Sequence, residues 1–161
     1  MIDELNKIYG GKHVAVTGAA GTIGQEVVRQ LVQTKVASLT LLDNGETELF
    51  HLEDVQRGDD RVRVYLADVR DAEKLASHFS DVDYVIHTAA YKHVPLVEAN
   101  VLEGVRNNVF GTEAVADAAG ELGVKNFTLI STDKAVRPTN VMGATKRLAE
   151  LVMQAKAQTY P

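Results

Sequence analysis

Five short apolar runs alternate with segments whose apolar residues recur at helical spacing, and this alternation restricts the fold more than any other feature of the chain. The runs are HVAVT (13–17), SLTLLD (38–43), RVRVYLAD (61–68), DYVIHTAA (83–90) and NFTLIST (126–132). After the first, IGQEVVRQLVQ sets Ile23, Val27, Val28 and Leu31 on one side of a helix. ETELFHLEDVQ (46–56) spaces Leu49, Leu52 and Val55 three apart, and DAEKLASHF (71–79) reads as a short helix. The helical pattern resumes over 96–122, where Val101, Val105, Val109 and Ala116 form a long apolar stripe, and again in TKRLAELVMQAKAQ (145–158). Near-continuously apolar strands alternating with helices indicate a parallel sheet covered on both faces. Right-handed crossovers then favour an α/β, doubly wound sheet of about five strands in the order 3-2-1-4-5. A sixth strand would be expected after the last helix. The chain therefore reads as one domain over 1–161 and as the N-terminal fragment of a longer protein, with a complete five-stranded domain as the alternative.

Composition removes several classes of function. A chain of 161 residues can bury one real core. Its formal net charge of −5 argues against a nucleic-acid partner, which requires a basic footprint. There is no cysteine, so neither a disulfide framework nor a thiolate zinc site is available. That fits a reducing, cytoplasmic setting. The opening MIDELNKIYGGK carries acids and no apolar core, unlike a secretory leader. No apolar stretch approaches the roughly 18 residues needed to span a bilayer. His13, His51 and His78 lack metal-like spacing and read as structural, so no metal is expected. His87, inside the fourth run, reads as a packed core histidine.

The stretch TGAAGTIG, between the first strand and the first long helix, supplies Gly18, Gly21 and Gly24. Gly18 permits the tight turn, Gly21 lets a pyrophosphate approach the backbone, and Gly24 lets helix and strand pack closely. The helix N-terminus then offers unpaired N–H groups to phosphate. Asp43 ends the second strand about 20 residues further on, where a carboxylate can accept both ribose hydroxyls of an adenosine. A 2′-phosphate would face that carboxylate, and the following NGET has no Arg or Lys to compensate. The cofactor expected is NAD or NADP, with NAD favoured.

TGAAGTIG, DVRDAEKL, HTAAYKHVPLVE, NNVFGT and STDKAVRPTNVMGATKRLAE occur in order. Together they make the chain resemble the extended short-chain dehydrogenase/reductases, and within them the polysaccharide-biosynthesis UDP-N-acetylglucosamine 4,6-dehydratases. The resemblance runs over roughly 10–158 and implies an NAD(P)-binding Rossmann domain without its C-terminal substrate portion. It implies a UDP-amino-sugar substrate and a homo-oligomeric full-length enzyme. Longer members of the family carry N-terminal membrane helices. By this resemblance Gly18, Gly21, Thr22, Ile23 and Gly24 hold the pyrophosphate, and Asp43 and Asn44 the adenosine ribose. Asp68 and Val69 contact adenine, Ala89 and Ala90 flank the nicotinamide ribose, and Asn108 ties two elements together. Lys146 bonds the nicotinamide ribose. Lys92 and His93, at the mouth of the fourth strand, hold sugar or phosphate of the substrate.

Thr132, Asp133 and Lys134 follow the fifth strand, beyond whose carboxyl end ligands bind in open α/β sheets. On the residues alone Asp133–Lys134 also reads as a solvated turn pair. The resemblance makes Lys134 the base for the sugar C5 proton, Asp133 the acid for the C6 hydroxyl, and Thr132 a donor to the C4 oxygen. These roles require a lysine pKa pushed down and a carboxyl pKa pushed up. Most of the wider family keeps a tyrosine four residues before the equivalent of Lys146; here that place holds Met142, which exchanges no proton. Methionine occurs at this place in part of the dehydratase branch. It leaves the base for the C4 hydroxyl open among Asp133, a water, and Lys146 through the ribose hydroxyl, with Tyr91 a poorer candidate. A nucleotide-sugar 4-epimerase, or a non-catalytic cofactor-binding module, are the alternative functions.

Overall fold

The computed structural model describes residues 2–160; the ends of the expected domain, Met1 and Pro161, lie outside it. The chain runs α1 (Ile2–Tyr9), β1 (His13–Thr17), α2 (Thr22–Leu31), β2 (Ser38–Asp43), α3 (Glu46–Gln56), β3 (Val62–Leu66), α4 (Ala72–Phe79), β4 (Tyr84–His87), α5 (Val94–Ala99), α6 (Val101–Val105), a π turn (Arg106–Phe110), α7 (Gly111–Glu121), β5 (Asn126–Leu129), a 3₁₀ turn (Asp133–Ala135) and α8 (Val141–Thr159). The strands form one parallel sheet in the order β3-β2-β1-β4-β5, as the alternation predicts.

Both faces of the sheet are covered, and the side chains of β1 show why its residues must all be apolar or paired. Val14 and Val16 point to one face, where they meet Val28 and Leu31 of α2 and Leu49 and Leu52 of α3. Ala15 points to the other, toward Leu75 and Phe79 of α4 and Val115 and Ala118 of α7. The small Ala15 leaves room for Phe79, which is fully buried.

Three strands end earlier than their apolar runs. The runs 61–68, 83–90 and 126–132 leave the ladder at Leu66, His87 and Leu129. For β4 the cause lies in β1: it turns away after Thr17, whose carbonyl accepts a last bond from Thr88 N (2.9 Å), so nothing remains for 89–90 to pair with on that side. The freed residues of β4 become the wall of a cavity.

The segment 96–122 is not one helix. Asn100 departs from helical geometry (φ −134°, ψ 57°) and separates α5 from α6, and the π turn follows directly. The expected stripe therefore breaks. Val109 and Ala116 are buried, but Val101 is exposed. The wider π turn instead directs Asn107 and Asn108 inward. Two helix limits also differ. α8 begins at Val141, four residues before the apolar spacing announces it, because the Asn140 side chain caps it by accepting from Gly143 N (2.8 Å). α1 lies outside the stretches read as helical, although Ile2, Leu5, Ile8 and Tyr9 recur at helical spacing in it. It has no fully buried residue and is held through Asn6, whose Oδ1 accepts from Lys35 N (2.7 Å), and through Tyr9, which meets Tyr84 edge-on.

Candidate functional site

A cavity of about 310 Å³ opens where β1, β2 and β4 end, and its floor is the glycine turn. Gly18 has φ +71°, the left-handed region, and a Cβ there would stand 2.5 Å from Ala89 N. Glycine is thus required for both conformation and close approach. A Cβ on Gly24 would collide with the Gly18 carbonyl and with Ala19. Gly21 is the N-cap of α2, and no side chain bonds the amides of that helix end. Gly21, Thr22 and Ile23 all line the cavity.

Asp43 lies at the far end. Its Oδ2 accepts from Ala20 N (3.0 Å) and its Oδ1 from Gly45 N (2.9 Å), so two backbone amides fix the carboxylate. Each oxygen retains a lone pair for a ligand. Asn44 and Glu48 stand beside it on the same wall. Val69 also lines the cavity, but Asp68 turns away. Its carboxylate is bonded to Arg70, which holds its pKa below the ordinary value.

The opposite wall is the loop after β4: Thr88, Ala89, Ala90, Tyr91 and Lys92. Asn108 stands behind that loop. Its Oδ1 accepts from Tyr91 N (2.7 Å), and its Nδ2 donates to Tyr91 O and to Thr145 Oγ1 of α8 (both 3.0 Å). The residue of the pair that reaches the cavity is Asn107. Sequence reasoning missed it because an unbroken α-helix hides the π turn; NNVFGT names both residues but not which one faces the cavity.

A second polar chain supports the same loop. The Thr112 hydroxyl donates to the Asn108 carbonyl (2.7 Å), so it must accept from His87 Nε2–H (3.0 Å). That leaves His87 Nδ1 to accept from the Thr17 hydroxyl. The ring is fully buried, and desolvation, then the charge on Lys146, pushes its pKa down to about 3. His87 is therefore a neutral packed residue with one tautomer fixed by its partners.

The residues after β5 differ in character. Thr132 caps the 3₁₀ turn by accepting from Lys134 N (3.3 Å), and its hydroxyl donates to Asp133 Oδ1 (3.0 Å). Asp133 and Lys134 are exposed. The Thr132 hydroxyl, then the Lys134 charge, lowers the Asp133 pKa. This corrects the expected upward shift: a hydrogen bond and a cation favour the carboxylate and outweigh the slight desolvation that opposes them. Lys146 is only 5% exposed; burial lowers its pKa, and its Nζ donates to Ile130 O (2.7 Å). Lys146 and Met142 are both buried, one turn apart on α8. Gly143, between them, presses on the Lys134 carbonyl so closely that a Cβ has no room, which fixes the 3₁₀ turn against α8.

Lys92 and His93 part company. Lys92 Nζ points to Thr22 Oγ1 (3.4 Å), at the glycine turn. His93 is the N-cap of α5 and lines a neighbouring cavity of about 470 Å³ with Tyr91, Leu96 and Asn100. Among the described residues no helix is long and apolar enough to cross a membrane.

The family model described as polysaccharide biosynthesis protein matches residues 14–160. The chain is 44% identical over 150 residues to an uncharacterised membrane protein of Methanocaldococcus jannaschii, covering 93% of this chain and 45% of the relative. It is 36% identical over 149 residues to an inverting UDP-N-acetylglucosamine 4,6-dehydratase of Campylobacter jejuni, covering 92% of this chain and 44% of the relative. The fold superimposes with a TM-score of 0.84, at 29% identity, on a dTDP-glucose 4,6-dehydratase from Streptomyces venezuelae solved with NAD bound, covering 92% of this chain and 52% of that one. The chain thus spans about half the length of the proteins it matches.

Proposed function

The chain belongs to the polysaccharide biosynthesis protein family, and we propose that it is the cofactor-binding part of a nucleotide-sugar 4,6-dehydratase acting on UDP-N-acetylglucosamine-like substrates. The observation that carries this reading is the shared sheet edge. The glycine-floored cavity and the Thr132–Asp133–Lys134 turn both lie beyond the carboxyl ends of the strands, the cavity where β1, β2 and β4 end and the turn after β5.

The cavity fits a dinucleotide. Gly18 and Gly24 leave open a cradle that side chains would fill, and Asp43 presents a carboxylate locked by two amides toward the place of an adenosine ribose. Asp43 and Glu48 on that wall favour NAD over NADP, since both would repel a 2′-phosphate. Asn107, Ala89 and Ala90 would flank the nicotinamide end. Bound cofactor would take a hydride from the sugar C4 and give it back at C6 once water has left, so it would end the reaction in its original oxidised form.

The chain's own groups do the proton work. As the C4 hydride leaves, the C4 hydroxyl proton passes to Asp133 or, through the ribose hydroxyl, to Lys146; Thr132 donates to the C4 oxygen as it becomes a carbonyl, which acidifies the C5 proton. Lys134 removes that proton, and Asp133 protonates the C6 hydroxyl as water leaves. Both side chains are exposed here. Their working pKa values require a cover over the turn, which the substrate and the further length of such enzymes would provide. Met142 cannot serve as the base that a 4-epimerase ordinarily takes from the tyrosine at this place, which favours dehydration over epimerisation. A cytoplasmic setting and a homo-oligomeric full-length enzyme belong to the same proposal; sedimentation of the full-length protein tests the latter.

The reaction is tested by giving the full-length protein UDP-N-acetylglucosamine and identifying the product by NMR. A 4-keto-6-deoxy sugar is expected. A product inverted only at C4 would replace this reading with epimerisation, and no conversion of any UDP-sugar would overturn it.

A further inference from the structure

Between β5 and the 3₁₀ turn the backbone has little of its own to hold it. Its last bond to the sheet is Ile130 N to His87 O (3.0 Å), and the turn begins with Ala135 N to Thr132 O (3.1 Å). Ser131, between them, makes no backbone hydrogen bond among the described residues. It is held through its side chain instead: the hydroxyl donates to Glu150 Oε1 on α8. Glu150 Oε2 accepts from Arg147 (2.7 Å), so both carboxylate oxygens are engaged. The Ser131 hydroxyl, then Arg147, holds the Glu150 carboxyl below its usual range, which keeps the acceptor ionised at neutral pH.

Three residues of α8 therefore meet this segment. Gly143 closes on the Lys134 carbonyl, Lys146 Nζ donates to Ile130 O (2.7 Å), and Glu150 takes the Ser131 hydroxyl. Steps of three and four residues put all three on one helix face. The backbone at Thr132 is extended (φ −145°, ψ 154°), so a Ser131 turned toward α8 sends the Thr132 side chain the other way. Thr132 Oγ1 then accepts from Lys134 N and donates to Asp133. Fixing Ser131 thus sets where the turn's side chains stand.

We propose that Glu150 is a positioning residue: through Ser131 it holds the end of β5 so that Thr132, Asp133 and Lys134 meet a substrate in one arrangement. The assignment rests on the reading that this turn does the proton work. Neither Ser131 nor Glu150 lines the cavity beyond β1, β2 and β4, so their effect should be separate from cofactor binding.

The test compares wild type with Ser131→Ala, Glu150→Ala, the double variant and Ser131→Thr. Ser131 is exposed and Glu150 half-buried, so all should fold, which circular dichroism checks. In this chain, NMR follows amide hydrogen exchange at Ala135 and Val136, the two donors of the 3₁₀ turn. Both amides should exchange about three- to tenfold faster in each alanine variant. In the full-length protein, solvent deuterium incorporation at C5 should slow about tenfold in each, with KM and NAD affinity unchanged. The double variant should be no slower than the slower single one, because both remove the same bond. Ser131→Thr keeps the hydroxyl and should keep most of the rate. Unchanged C5 rates in both alanine variants, or losses that multiply in the double, would overturn the assignment while leaving the turn's chemistry in place. Unchanged amide exchange would overturn it as well, since Ser131 would then not hold the turn. So would a matching fall in NAD affinity, which would make the effect one on the whole fold. A full-length wild type that exchanges no C5 proton would instead remove the reading of the turn, and this role with it.

Discussion

The cavity at the ends of β1, β2 and β4 and the turn after β5 lie on one sheet edge, yet they are built differently. In the cavity the backbone itself does the shaping, and every supporting side chain has a partner: Asp43 holds two amides, Asn108 holds Tyr91 and Thr145, and His87 joins Thr17 to Thr112. At the turn, Thr132, Asp133 and Lys134 bond chiefly to one another, and Asp133 and Lys134 face solvent. The first region is closed by bonds within this chain, whereas the second is open to solvent. Under the proposed function binding and chemistry would be separable, and substitutions should tell them apart.

The largest effect is expected at Gly24. Gly24→Val puts a branched side chain where even a Cβ meets the Gly18 carbonyl. Overpacking typically costs about 1–3 kcal/mol, and backbone that cannot yield raises this. Urea denaturation should show a loss at or above that range together with lost NAD binding. Next is Met142→Ala. Met142 is 3% exposed, and truncating a buried methionine costs about 2–5 kcal/mol. A stability change below about 0.5 kcal/mol would mean that α8 is not packed as described.

His87 gives a pH test. Its pKa in the fold is about 3, below the ordinary 6.5. Between those values the unfolded chain takes up a proton that the folded chain refuses. The stability contributed is full above the ordinary value and is lost as pH falls toward about 3. His87→Gln should be less stable at pH 7 by about 1–3 kcal/mol, since it disturbs a buried hydrogen-bonded pair. It should also lose less stability than wild type between pH 7 and pH 4. Parallel pH profiles for the two proteins would contradict the buried, neutral ring. The smallest effects belong to the turn: in this chain Asp133→Asn and Lys134→Ala should each change stability by less than about 0.5 kcal/mol and leave NAD affinity unchanged. A marked loss of NAD binding in either would join the two regions that are here held apart.

Much of this was legible beforehand, for particular reasons. The strand order follows from apolar runs that alternate with helices, and the glycine turn from spacing that only a strand-to-helix junction uses. Asp43 is readable because it ends a strand whose register is fixed by burial of all its other residues. What escaped depends on geometry that hydrophobic spacing does not encode. The π turn puts Asn107 in the cavity, yet NNVFGT fits a plain helix equally well. α1 does carry a helical signal, with Ile2, Leu5, Ile8 and Tyr9 on one side, but over only eight residues, too short a window for periodicity to decide. The Asp133 pKa shift runs against expectation because motif order says nothing about exposure. Burial lowers the pKa of Lys146, packed in α8, and motif spacing carries no information about that burial.

The central claim is that Lys134, rather than the Met142–Lys146 face of α8, moves the sugar proton. Incorporation of solvent deuterium at C5 of UDP-N-acetylglucosamine, followed by NMR in the full-length protein, tests it directly. Lys134→Ala should stop incorporation with NAD affinity retained, a loss of about 10²–10⁴ in rate being typical for removal of a general base. Met142→Ala should still exchange. Exchange that survives in Lys134→Ala but vanishes in Met142→Ala would contradict the account.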